Sequence, residues 1–303
     1  GLRGGDFDPI KAGKIDGYAH INGDALRHLR LDAEICFDFG EQFRFPGFFE
    51  IRQWDSEGDL YCGEVMAGQT RTEVSLGAPS VPTSWTGSDL VFDIGTKFSF
   101  RGSSEDDGIG TISGVGGYVS LCDGEIEFEA MKIRGMSAAA AFGESENYVA
   151  AALDLAFEGY ELEGGAFFGR TCEIAPLAVI NSEVASVLGE PPFTGAYLYG
   201  RAHMPIVNGS CVFRLSAGIG AGLFYFIEGP TYGGQLDLSA SGEALCLISV
   251  RGDLGLIGVK RGSDFTFRGT GRIKGKAGSC PFCVRFKKSV TLSYENGEWD
   301  YDY

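Results

Sequence analysis

The run Leu29-Arg30-Leu31-Asp32-Ala33-Glu34-Ile35-Cys36-Phe37-Asp38-Phe39 has an apolar residue at every odd position and, Cys36 aside, a polar one at every even position. Successive side chains of an extended chain point to opposite sides, so a period of two marks a half-buried β-strand. Similar runs recur along most of the sequence, separated by turns such as Asn22-Gly23, Asp123-Gly124 and Asn296-Gly297. Asn-Gly and Asp-Gly supply the positive φ that two-residue hairpin turns need. The pattern predicts a mainly β protein: a large antiparallel sheet, either stacked as a sandwich or left as a curled open sheet or trough. One face should be dry and the other wet.

One segment breaks the period. Ile174–Leu188 spaces its apolar residues as a helix does, and it ends at Gly189 with Pro191-Pro192 beyond, a helix stop. A single short helix is therefore expected near 174–188. It divides the chain into an N-terminal β region (1–170), a helical connector (171–193) and a C-terminal β region (194–303) that could be continuous with the first. A Pro-, Gly-, Ser- and Thr-rich stretch at 77–89 reads as a connection and a sub-boundary. Gly17-Tyr18-Ala19-His20 is echoed by Gly200-Arg201-Ala202-His203, and Arg30-Leu31 by Arg214-Leu215, a weak internal repeat.

Glycine is abundant, 47 of 303 residues. The alternation Gly218-x-Gly220-x-Gly222 opens no helix, so it reads as strand positions packed closely against something rather than as a phosphate loop. Formal net charge is −16, which argues against nucleic acid as a partner. The charge is uneven. Between Arg251 and Val290 ten basic residues face only Asp253 and Asp264. Arg268, Arg272, Lys274, Lys276, Arg285, Lys287 and Lys288 form a candidate binding surface, suited to an acidic partner or an anionic ligand.

Eight cysteines, at 36, 62, 122, 172, 211, 246, 280 and 283, are even in number and widely spread. Cys36, Cys62, Cys122, Cys172, Cys211, Cys246, Cys280 and Cys283 are all disulfide candidates, and the set suits an exported protein. Cys280-Pro281-Phe282-Cys283 lacks the second ligand pair that zinc needs. His20 and His203, at equivalent places in the echo, and the acidic loop Ser103–Gly108 are weaker metal candidates. No cofactor is expected.

No nucleophile elbow, P-loop or triad spacing is present, and carboxylate pairs are too numerous to discriminate a glycosidase. The leading expectation is a non-enzymatic, extracytoplasmic structural or assembly protein that associates with itself or with another exported protein. The alternative is a binding module holding a lipid or other apolar ligand in a β trough, its anionic group met by the basic strands. A glycan-acting hydrolase is third. Strands of uneven length, the cysteines and the helix stand against an integral membrane barrel.

Overall fold

A computed structural model describes residues 10–22, 25–38, 42–55, 58–83, 90–103, 110–209, 212–278, 283–295 and 297–302. The elements run in the order β1 (Ile10–Asn22), β2 (Ala25–Asp38), β3 (Gln42–Trp54), β4 (Leu60–Tyr61), β5 (Glu64–Val65), β6 (Gln69–Thr83), β7 (Leu90–Ser103) and β8 (Thr111–Asp123). There follow β9 (Ile126–Phe128), β10 (Met131–Gly143), β11 (Asn147–Phe157), β12 (Tyr160–Thr171), α1 (Ala175–Ala178) and α2 (Ser182–Ala185). The chain ends with β13 (Phe193–Asn208), β14 (Phe213–Phe226), β15 (Thr231–Ala244), β16 (Ile248–Arg261), β17 (Asp264–Ala277), β18 (Val284–Glu295) and β19 (Glu298–Asp302). Seventeen strands are joined in one antiparallel sheet, and β4 with β5 forms a separate hairpin. The sheet is not closed into a barrel.

The expected large antiparallel sheet is therefore present. Two local expectations are corrected. The connection read at 77–89 is extended as far as Thr83, because a register shift between Ala78 and Val81 lets β6 carry Pro79 and Pro82 through its pairing with β7. The single helix expected near 174–188 is two four-residue helices. Asn181 stands between them in an extended conformation (φ −158°), and its side chain accepts hydrogen bonds from the Glu183 and Val184 amides. A capping asparagine thus starts a second helix where apolar spacing alone reads straight through.

Two compact units are present. The first comprises residues 1–125 and 137–148, the second 126–136 and 149–303. In the first, β1, β2, β3, β6, β7 and β8 pair in succession and residues 137–143 of β10 pair with β8. One face carries the row Leu29, Ile51, Val74, Phe98, Val115, Phe142. Val115 and Phe142 are exposed there. The opposite face carries the charges, and part of it is covered by Tyr61, which is buried over Arg71 and Glu73.

In the second unit β12 to β19 form a continuous meander. Here the core lies on the face that bears the polar residues. Phe167, Tyr197 and Phe226 are fully buried with Leu177, Val184 and Leu188 of the helical segment. The tilted rings of Phe193 and Phe226 stand 5.4 Å apart, and Phe224 stacks on Phe226 at 6.0 Å. The other face of the same strands is aliphatic yet open: Leu223 is 72% exposed and Ile219 53%. β14 shows the inversion most directly, since from Gly218 to Phe226 its even residues are buried and its odd residues exposed. The helices cover the polar-bearing face, so the apolar face keeps its accessibility.

Phe226→Ala should lower unfolding free energy by about 3–5 kcal/mol, whereas Leu223→Ser, three residues away on the opposite face, should cost no more than ~0.5 kcal/mol. Urea denaturation of the two variants checks which face is the core.

Candidate ligand-binding face

The arrangement in the second unit rests on glycine. Gly218, Gly220 and Gly222 lie on the polar-bearing face of β14, between β13 and β15. Without side chains there, residues of β13 reach over β14 to β15. The Tyr197 hydroxyl donates to Gln235 Oε1 (3.1 Å), the Tyr199 hydroxyl to Asp237 Oδ2 (3.1 Å), and Arg201 Nη2 to Ser239 Oγ (3.3 Å). Gln235 Nε2 donates in turn to Asp237 Oδ2 (2.5 Å). A Cβ at Gly220 would come within 3.2 Å of Arg201 and of the Tyr199 hydroxyl, and one at Gly222 within 3.2 Å of the Tyr197 ring. The close packing expected of this glycine alternation is thus a three-rung polar ladder.

Burial raises the pKa of both Tyr197 and Tyr199, and the neighbouring Asp237 carboxylate adds to it. Both phenols therefore remain protonated donors. The ladder is a set of satisfied hydrogen bonds rather than a nucleophile with its base.

On the reverse face the same register aligns aliphatic rows across six strands. One row is Ala202, Ile219, Leu238, Leu254, Gly271 and Val290; the next is Met204, Ala217, Ala240, Gly252, Ile273 and Lys288. These two rows, Ala202 aside, wall a concavity of about 690 Å³. A Cβ built on Gly271 meets no atom within 4 Å, so that glycine leaves space over the sheet rather than avoiding a clash. Aliphatic residues from six strands and the cation Lys288 thus lie on one face together.

The seven basic residues singled out from sequence separate by parity. Arg268, Arg272, Lys274 and Lys276 alternate along β17, and Arg285 and Lys287 along β18; register places these six on the polar-bearing face. Lys288 is opposite Ile273, on the apolar face. Adjacent strand residues cannot share a face, so the Lys287-Lys288 pair already carried this division. Nothing in the sequence marks the odd face of β14 as a site, because a period of two does not say which face is covered.

The remaining candidates are placed as follows. His20 lies opposite His28 across β1 and β2. His28 Nε2 is 2.6 Å from Glu50 Oε1, which also accepts from Arg52 Nε at 2.9 Å. Burial pushes the Glu50 carboxyl up, but the hydrogen bonds from His28 and Arg52 and the charge of Arg30 outweigh it and hold it below its usual value. His203 Nδ1 stands 3.5 Å from Ser239 Oγ. Among the described residues no group of three or more His, Cys, Asp and Glu could hold a metal ion. Within the first unit Tyr61 donates to Glu73 (2.6 Å) and Lys97 to Glu146 (2.6 Å), with the Arg71 guanidinium 3.9 Å over the Tyr61 ring. These buried carboxylates are held by cations, as structural ion pairs are.

Cys62, Cys172, Cys246 and Cys283 are disulfide-bonded. Cys122 is free and exposed, which corrects its place among the disulfide candidates. It lies on β8, where burial first and Asp93 second raise its pKa. The side chain of Cys36, and Cys211, Cys280 and most of the acidic loop, lie outside the described residues. No helix among the described residues is long and apolar enough to cross a membrane. Comparison with known protein families, curated proteins and solved structures finds no match.

The two kinds of glycine predict opposite outcomes. Gly220→Val should displace Tyr199 from Asp237 and cost about 1–3 kcal/mol, the penalty of a broken buried hydrogen bond. Gly271→Leu should leave thermal stability unchanged or slightly raised, because leucine suits a strand better than glycine and meets open space. Calorimetric melting of both variants checks this.

Proposed function

We propose that the apolar face of β13 to β18 binds a single-chain anionic amphiphile, such as a fatty acid, in an extracytoplasmic setting. The observation that carries this reading is the 690 Å³ aliphatic concavity on a sheet face left open to solvent. Contiguous exposed apolar surface of this kind marks a binding site, and the volume falls in the ~300–1,000 Å³ range of small-molecule pockets. Glycine at 252 and 271 gives the wall its depth, which suits a slender alkyl chain laid across the strands better than the side chains of a flat partner. Lys288, at the edge of the aliphatic rows, supplies the charge complement for a carboxylate.

Each methylene removed from water contributes ~0.8 kcal/mol, so ten give about 8 kcal/mol before the chain's ordering cost. That magnitude supports dissociation constants in the micromolar range or weaker. The disulfides support an oxidising compartment.

Palmitate should bind the detergent-free protein with a micromolar Kd in isothermal titration calorimetry, with a negative heat-capacity change. Gly271→Leu, which fills the concavity, should abolish binding while melting as the parent does. Lys288→Met should weaken palmitate about tenfold and leave hexadecanol unaffected. Concentration-dependent oligomers in sedimentation velocity, with no uptake of either amphiphile, would instead identify the apolar face as an assembly surface.

A further inference from the structure

The polar-bearing face of the same strands carries a second arrangement, independent of the apolar one. Register sets Lys274 directly opposite Lys287 and Lys276 directly opposite Arg285, and Arg251 opposite Lys274 from the other side. Neighbouring strands lie ~4.8 Å apart and same-face residues of one strand about 7 Å apart. Five cations therefore occupy a lattice in which each has a like charge as its nearest cross-strand neighbour. Like charges in directly opposed positions destabilise a sheet, and this chain, at −16 overall, has no general need of them. Arg251 donates through Nε to Asp253 at 3.0 Å, which fixes its stem over the strands.

These side chains wall a concavity of about 600 Å³ together with Arg214, Glu243 and the hydroxyls of Ser216, Ser241 and Ser249. Ser216 and Ser241 hydroxyls are 2.6 Å apart. Hydroxyl donors beside a cluster of lysines and arginines are the groups that recognise tetrahedral oxyanions. A single carboxylate would satisfy one of these cations at a time, whereas linked phosphate or sulfate groups reach several. We propose that this concavity, on the polar-bearing face of β14 to β18, binds a small soluble oligoanion carrying two or more phosphate or sulfate groups. Its concave form favours a molecule that enters it over a flat anionic membrane.

The test is calorimetric titration of the full chain with tripolyphosphate, orthophosphate and a heparin-derived disaccharide, alongside sedimentation with vesicles containing anionic phosphatidylglycerol. Tripolyphosphate or the sulfated disaccharide should bind at least about tenfold more tightly than orthophosphate, and more weakly as salt rises. The doubly substituted K274Q/K287Q protein should lose that preference. Its melting temperature without ligand should hold or rise, since an opposed like-charge pair is removed. Gly271→Leu, on the other face, should bind the oligoanion as the parent does. The proposal is overturned if neither oligoanion binds, if the double variant binds them unchanged, or if only the vesicles are retained.

Discussion

The polar ladder that crosses β14 is the interaction on which the second unit depends. Three side chains of β13 reach three of β15 over Gly218, Gly220 and Gly222 of β14. Such bridges bind next-nearest strands, which backbone pairing alone does not. Because that face is filled by tyrosines, an arginine and a short helical segment, the reverse face of the same strands is the one left to solvent. The aliphatic rows are exposed as a consequence of where the glycines are.

The first unit follows the same logic with different chemistry. Part of its polar-bearing face is covered by Tyr61, and ion pairs take the place of the ladder. Arg71, Glu73, Lys97 and Glu146 are drawn out of water together. Buried ions of this sort add little net stability but are costly to leave unpaired, so they fix the position of their cover. Its apolar row, too, includes exposed Val115 and Phe142. In the second unit the polar ladder lies on the core side and the aliphatic rows on the open side.

The period of two in Leu29–Phe39 and its counterparts made the antiparallel sheet legible, as did the Asn-Gly and Asp-Gly turns. Parity also divided Lys287 from Lys288 and showed that Gly218, Gly220 and Gly222 share a face. The sequence could not reveal which face is covered, because alternation is symmetric and the covering segment is remote from the strands it covers. Leu223 and Phe224 are equally apolar neighbours; only packing of the covering segment, whose second helix ends 38 residues before Leu223, makes one exposed and the other buried. The division of the helix at Asn181 was a matter of one side-chain cap, which apolar spacing does not register. Cys122 read as a disulfide candidate for a similar reason: a count of cysteines does not place their sulfurs.

The central claim is that the aliphatic face, not the aromatic one, meets solvent and ligand. Hydroxyl-radical footprinting of detergent-free, lipid-stripped monomer resolves it most directly at the neighbours Leu223 and Phe224. Oxidation should reach Leu223 and Ile219, spare Phe224 and Phe226, and fall at Leu223 or Ile219 when palmitate is added. Protection of Leu223 in the stripped monomer, or oxidation of Phe226 at a comparable rate, would contradict the account.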